Sequence, residues 1–368
     1  MILCVVGASS GALEAPGLVR ELVSAGESVA VRLDEKARLF VGPSAFLALG
    51  AEVVSGDGVP EAEAVVYLPA TTETVARLAR GLAGDPGLPE PARLFVVPEI
   101  DPGSAENPAV RENLKTLRRD GCAVLGTAGE SVTPARAVAA AVLGGLGRLR
   151  GGPLAGRRVL VTAGGTHEPI DSVRFIGNRS SGRMGLAVAR EASRMGAEVE
   201  VIAANVAESL VEPGVAWTPV ETVKELSRAV RERAGEADVL VMAAAVSDFT
   251  PASPVREKIR RGQNETMSLD LRATEDVLAG VREVSERVFL VGFAATHGDP
   301  APDAREKLAR KGADLIVGND ISREDIGFSV EENEVIVVGP DTERLVKRAA
   351  KIDVARAILD EVIRRLDR

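Results

Sequence analysis

The chain has 368 residues, 45% of them hydrophobic and 27% charged, which excludes a mostly disordered polymer and suggests two domains. Its 45 Lys and Arg against 54 Asp and Glu give a net charge of -9, which argues against nucleic acid or an anionic membrane as the main partner and leaves room for a local basic pocket. Two cysteines and two histidines exclude a disulfide framework, a cysteine-rich zinc site or a multi-histidine metal centre and fit a reducing cytoplasm, and no run approaches the ~20 apolar residues of a membrane span.

The opening MILCVVGASSG (1–11) is an apolar run into a Gly/Ser turn, followed by a helical pattern. It lacks a basic leader and a cleavage site, so it reads as a buried strand and not as a signal peptide. Further strands are predicted at 27–33, 64–69, 93–99 and 123–127. The stretch LGGLGRLRGGPLAGRR (143–158) has glycines without apolar periodicity. It predicts a linker at about 146–156, between a domain at 1–150 and a second at 157–368. A second strand-to-glycine opening, RRVLVTAGG (157–165), follows, with strands predicted at 197–203, 237–245, 287–295, 313–319 and 334–339. The final pattern, TERLVKRAAKIDVARAILDEVIRRL (342–366), has helical spacing and predicts one C-terminal helix. Short apolar runs alternating with helical patterns define an α/β protein with two Rossmann-like domains built on parallel sheets.

The segment after the second opening carries the chemistry. Strand-to-helix loops in such folds are usually ~2–6 residues. Here about fifteen separate Gly164-Gly165 from a helix starting near Arg183, and they include His167, Glu168, Asp171, Arg174, Asn178 and Arg179. The loop ends in Ser180-Ser181-Gly182, good N-cap material. A helix start offers unpaired N–H groups and a positive dipole end to an anion. The physical reading is a phosphate or carboxylate site at a helix N-terminus, covered by its own loop. A solvated, serine-capped loop is the alternative.

At TAGGTHEPIDSVRFIGNRSSGRMG (162–185) the sequence resembles the phosphopantothenate–cysteine ligase half of the bifunctional coenzyme A biosynthesis flavoproteins. The resemblance continues through MAAAVSDF (242–249), REKIRR (256–261), VGFAA (291–295), AREKLARKGADLIVGND (304–320) and GFSVEENEVIVV (327–338). It implies that CTP activates the carboxylate of 4'-phosphopantothenate as an acyl cytidylate, with Mg2+ on the triphosphate, and that the amine of L-cysteine then displaces CMP. By resemblance Asn178 sits beside the acyl group and Lys258 contacts the triphosphate; Arg174, with its bidentate guanidinium fork, is the candidate for holding the substrate carboxylate or phosphate. Met242, Ala243, Ala244, Asp248, Glu275, Asp276, Val277, Leu278, Phe293, Lys307 and Lys311 match nucleotide-contacting positions. Bland alternatives stand beside these: Lys307 and Lys311, four apart and so on one helix face, as a solvated face; Phe293 as core; Asp248 as a helix cap. The chain has eight Lys against thirty-seven Arg, yet all three cationic family positions hold Lys, which weighs against the bland reading. Two departures occur: Ala203-Ala204-Asn205 where the family often has Ser-Gly-Pro, and Thr296 where it has a glutamate.

Residues 1–150 more weakly resemble the flavodoxin-like, FMN-dependent decarboxylase half, through ARLFVGPSAFLALG (37–50) and PATTETVARLARGLAGDP (69–86). The catalytic parts depart. No histidine occurs before His167, Pro98-Glu99-Ile100-Asp101 replaces Pro-Ala-Met-Asn, and GTAGESVTPARA (126–137) carries no cysteine. Decarboxylation is therefore expected to be absent or much reduced, while Gly7, Ser9, Ser10 and Thr71 leave FMN binding open. The family assembles through dimeric ligase and trimeric decarboxylase halves, which implies a homo-oligomer. A fully bifunctional enzyme, an NAD(P)-dependent oxidoreductase and a degenerate scaffold are the competing readings. The oxidoreductase is disfavoured because neither opening reads GxGxxG.

Overall fold

The structure is a computed structural model that describes all residues except 55–61, 83–89, 208–209, 211–214, 261–265, 324–329 and 367–368. The parts of the resemblance at 83–86, 261 and 327–329 fall outside the described residues. The described residues to Gly151 form one compact unit and those from Gly152 another.

In the N-terminal unit the strands are β1 (Ile2–Val6), β2 (Val29–Leu33), β3 (Glu52–Val54), β4 (Ala64–Ala70), β5 (Leu94–Pro98) and β6 (Ala123–Val124). They lie in the order β3-β2-β1-β4-β5-β6, every pair parallel. Helices α1 (Ala15–Ser24), α2 (Pro43–Leu47), α3 (Thr72–Ala79), α4 (Pro102–Ala105), α5 (Pro108–Arg119) and α6 (Ala135–Leu149) connect them. With helices on both faces the central strands are buried at every position but the half-buried Val5, which is why they read as continuous apolar runs. One core joins α1 and α6, the other α3 and α5. The predicted linker begins too early, because α6 continues to Leu149 and takes Gly144 and Gly145 into the helix. A Cβ on Gly145 would come within 2.4 Å of the Phe95 ring, so this glycine lets α6 approach the sheet and is not a linker signal.

The second unit contains β7 (Arg158–Gly164), the short strands β8 (His167–Pro169) and β9 (Phe175–Gly177), β10 (Glu198–Ala204), β11 (Ala216–Val220), β12 (Val239–Met242), β13 (Phe249–Pro251), β14 (Leu271–Ala273), β15 (Phe289–Thr296), β16 (Leu315–Asp320), β17 (Glu332–Gly339) and β18 (Thr342–Ala350). Eight of them form a sheet in the order β11-β10-β7-β12-β15-β16-β17-β18, with β17 antiparallel to both neighbours. Its helices are α7 (Arg183–Arg194), α8 (Val223–Arg233), α9 (Val277–Val284), α10 (Ala301–Lys311) and α11 (Lys351–Leu366). Helices α7 and α11 cover one face; α8, α9 and α10 cover the other.

The expected single C-terminal helix is corrected. Residues 342–350 form β18, turned back on β17 through Pro340-Asp341, and the helix starts only at Lys351. Half-buried and exposed residues alternate along most of β18, a period-2 pattern that the apolar spacing of 342–366 had masked. The sheet expands in both directions from β7, so the ends of β7 and β12 meet at a topological switch point, the usual ligand crevice of an open α/β sheet.

Candidate active site

A cleft of about 800 Å³ opens at that switch point. One wall is the start of α7. Gly164 ends β7 at φ +90, and a Cβ there would lie 1.9 Å from the Ala204 carbonyl oxygen, so only glycine turns the chain at this place. At Gly185 a Cβ would meet the Thr162 carbonyl oxygen at 2.8 Å, so the first turn of α7 packs directly on β7. Of the expected cap segment Ser180-Ser181-Gly182, it is Gly182, at φ +80, that takes the N-cap position. Gly182, Arg183, Met184 and Gly185, the first turn of α7, line the cleft beside Ser180 and Ser181.

The floor is the chain leaving β12. Ala244 N–H donates to Thr162 Oγ1 at 3.1 Å and Ser247 N–H to Thr166 Oγ1 at 2.9 Å, fixing the backbone of 243–248. The far wall comes from α9, β15 and α10. Asp276 caps α9 by accepting the Ala279 N–H and also pairs with Lys311. Lys307 donates to the Phe293 carbonyl oxygen. Burial holds the Lys307 ammonium below the ordinary lysine range, and the charge of Lys311 adds to the effect. Burial pushes the Asp276 carboxyl up, but the hydrogen bonds from Lys311 and the Ala279 N–H outweigh it and leave it lowered.

Of the residues nominated from sequence, Asn178, Met242, Ala243, Ala244, Asp248, Glu275, Asp276, Val277, Leu278, Phe293, Lys307 and Lys311 all line this cleft. Arg174 and Lys258 are not among the lining residues. The guanidinium of Arg174 donates to the Ile259 carbonyl oxygen at 2.8 Å and lies 3.5 Å from Asp171. Asp171, itself buried, accepts the N–H groups of Val173, Arg174 and Ile259. The tip of the β8–β9 hairpin thus clamps the exposed segment that carries Lys258. His167 stacks on Phe175 across the hairpin, with ring centroids 3.7 Å apart. Glu168 is buried and accepts the Val223 N–H at the start of α8. Both are structural.

Sequence reasoning missed Arg183, Asn319, Asn333 and Lys351, which also line the cleft. Lys351 is 6% exposed and donates to the Val330 carbonyl oxygen. Burial, with the Arg183 charge beside it, lowers its ammonium to about 8. A lysine in the first turn of a helix opposes the helix dipole, and that was the available signal once the helix start is known. Arg310 adds a further cation.

The two family departures have local accounts. Asn205 takes φ +51, and its Nδ2 donates to the carbonyl oxygens of Gly165 and Glu221 at 2.9 Å each, holding the turn after β10. Thr296 donates to Asp303 outside the cleft, whereas Ala295 lines it. An NAD-type site would place an acid at the end of β10, where Asn205 stands. Among the described residues no cluster of three or more His, Cys, Asp or Glu side chains is placed to hold a metal ion.

The N-terminal unit has a matching switch point between β1 and β4. The turn after β1 would receive the phosphate of a mononucleotide. There the Glu99 carboxylate accepts hydrogen bonds from Ser9, Ser10 and the Gly11 N–H. Thr71 Oγ1 accepts the Thr74 N–H, and Asp101 accepts the Ser104 N–H, each capping a short helix. These groups are spent on one another, so the residues present do not fit an FMN phosphate. Cys4 and Cys122 are both buried, and burial pushes the Cys4 thiol up to about 12.

No helix among the described residues is long and apolar enough to cross a membrane. The model of the DNA/pantothenate metabolism flavoprotein C-terminal domain matches residues 154–366. The coenzyme A biosynthesis bifunctional protein CoaBC of Mycobacterium tuberculosis is 39% identical over 98% of this chain and 96% of its own length. The protein of the same name from Escherichia coli is 31% identical over 99% and 97%. Among solved structures, the C-terminal domain of a CoaBC protein superposes with a TM-score of 0.50 at 32% identity, covering 59% of this chain and 98% of that one. A cationic crevice in a C-terminal unit of this kind, with relatives matching along nearly the whole length, places the chain in the family of bifunctional coenzyme A biosynthesis proteins CoaBC.

Proposed function

We propose that the C-terminal unit joins 4'-phosphopantothenate to L-cysteine at the expense of CTP, and that the N-terminal unit does not decarboxylate the product. The observation that carries the ligase reading is the meeting of the start of α7 with Lys307, Arg310 and Lys311 in the lining of one cleft. That arrangement suits a triphosphate whose charge must be held while pyrophosphate departs.

In the first step a carboxylate oxygen of the pantothenate substrate bonds to the α-phosphorus of CTP, and the bond to the bridging oxygen breaks. Pyrophosphate leaves with the electron pair, its charge taken up by the cations and by Mg2+ carried in on the nucleotide. In the second step the cysteine amine, its ammonium proton given up to solvent, bonds to the acyl carbon; the bond from that carbon to the phosphate oxygen breaks, CMP leaves with the electron pair, and a further N–H proton passes to solvent. Asn178 supplies an uncharged amide donor for the oxyanion of the tetrahedral intermediate. Met242, Ala243 and Ala244 offer backbone groups to the base, Phe293 offers a ring, and Lys258 approaches the triphosphate from the clamped segment. The family's oligomeric assembly is part of the same reading.

CTP-dependent pyrophosphate release with 4'-phosphopantothenate and cysteine tests the ligase. Absence of release would remove this function. Asn178→Asp is expected to block amide formation while cytidylate accumulates. For the N-terminal unit, the reading rests on the histidine and cysteine of the family pattern, which this sequence lacks at their places, and on Asp101, whose carboxylate caps a short helix. Steady carbon dioxide release from 4'-phosphopantothenoylcysteine in the presence of FMN would refute that half.

A further inference from the structure

The turn after β1 in the N-terminal unit is built to hold an anion, and it holds one from its own chain. Ser10 Oγ donates to Glu99 Oε1 at 2.6 Å, while Ser9 Oγ and the Gly11 N–H, the latter at 2.9 Å, donate to Oε2. Three donors thus converge on one carboxylate from a residue some ninety positions away. Glu99 follows β5, and its own N–H is tied to the Ala70 carbonyl oxygen at 3.0 Å, so the side chain starts from a fixed point. The turn is equally constrained. A Cβ on Gly7 would lie 2.3 Å from the Pro69 carbonyl oxygen, and one on Gly11 would lie 2.6 Å from Glu99 Oε2. Half-burial raises the carboxyl of Glu99, yet the bonds from Ser10, Ser9 and Gly11 outweigh it and keep it ionised at neutral pH.

We propose that Glu99 is a built-in anion that fills the phosphate cradle of the N-terminal sheet and excludes phosphate monoesters, the phosphate of FMN among them. A phosphate placed on Ser9, Ser10 and Gly11 would take the same donors and stand against a like charge, so the two cannot share the site. The proposal deepens the reading of this unit as silent. It concerns binding alone, so its failure would leave the pyrophosphate and carbon dioxide assays to decide the activities separately.

The test uses the full chain and two probes, FMN followed by flavin fluorescence and inorganic phosphate followed by calorimetry. The wild type is expected to bind neither in a one-to-one complex. Glu99→Ala is expected to bind at least one of them about tenfold or more tighter than the wild type, with the isosteric Glu99→Gln between the two. Glu99→Gln carries the comparison if the alanine variant fails to fold, as judged by its melting transition and its pyrophosphate release. One FMN per wild-type chain would overturn the proposal. So would folded variants that bind both probes no better than the wild type.

Discussion

Lys311, at the last turn of α10, pairs with Asp276, whose other carboxylate oxygen caps α9. A cation on the cleft wall is therefore held by the residue that starts the neighbouring helix. Lys311→Met is expected to raise the KM for CTP by roughly 10- to 100-fold and to lower kcat as well, because the same ammonium holds the bound triphosphate and the departing pyrophosphate. Stability should change by less than about 1 kcal/mol, because the Asp276 side of the pair is 44% exposed. Titration calorimetry with CTP reads the first effect, and an unchanged affinity would take Lys311 out of the nucleotide site.

The same pair shows how far the sequence could be read. The spacing of Lys307 and Lys311 puts them on one helix face, and the family pattern makes them and Asp276 separate nucleotide-contacting positions, because both facts are local or motif-borne; the pairing of Lys311 with Asp276 comes from the fold alone. The clamp between Arg174 and Ile259 spans 85 positions and has no sequence period, so Arg174 was assigned to substrate and not to the Lys258 segment. β18 was read as helix because Leu345, Val346 and Ala349 also fit a 3.6 spacing; only pairing with β17 decides the period. The strands β3 and β11 lie at sheet edges, and β11 contains Pro219, which a strand tolerates only at such an edge. Glu99 looked like a simple replacement in a family motif until the fold brought it to Ser9 and Ser10.

Lys351 gives the cleft a pH dependence. Its ammonium loses its proton at about 8 in the free protein, so its positive charge is present below that value and fades as the pH rises through it. CTP affinity is expected to weaken over that window, and bound triphosphate should shift the midpoint upward by linkage. The folded state binds this proton less tightly than the unfolded chain does. The group therefore costs stability below about 8, and that cost is relieved as the pH rises toward the ordinary lysine value of 10.5. Lys351→Arg should flatten the affinity profile between pH 7 and 9.5. An identical profile in the variant would show that another group titrates there.

Close packing of α7 on β7 makes a separate prediction. Gly185→Ala adds a Cβ 2.8 Å from both the Thr162 carbonyl oxygen and Ala163 Cβ, and neither neighbour is the loose end of a side chain. The helix start must move off the sheet, costing about 1–3 kcal/mol and weakening nucleotide binding along with stability. Gly235→Ala, with nothing within 4 Å of its new Cβ, is the control and should alter neither. Thermal unfolding with and without CTP separates the two variants. Equal behaviour would mean that the position of the helix start does not govern the site.

Asp171 tests whether the Lys258 segment must be held. Burial raises its carboxyl, but the N–H groups of Val173, Arg174 and Ile259 and the Arg174 charge hold it below the usual aspartate range. Its contribution to stability is therefore present above the ordinary pKa of 3.8 and lost as the pH falls through the lowered value. Asp171→Asn keeps the shape but supplies one oxygen where two accept, so either Ile259 or the turn at 173–174 meets an NH2 group instead. A cost of about 1–3 kcal/mol is expected from the unsatisfied donors. The released segment should lower kcat by roughly 10- to 100-fold through misplacement of Lys258. CTP affinity measured without the acid substrate should fall far less, since the α7, α9 and α10 walls of the cleft make no use of Asp171. Arg174→Lys, which keeps the charge and one donor, should lose less of the rate than Asp171→Asn. If Asp171→Asn turns over at the wild-type rate, the hairpin clamp is a matter of folding alone and Lys258 does not depend on it.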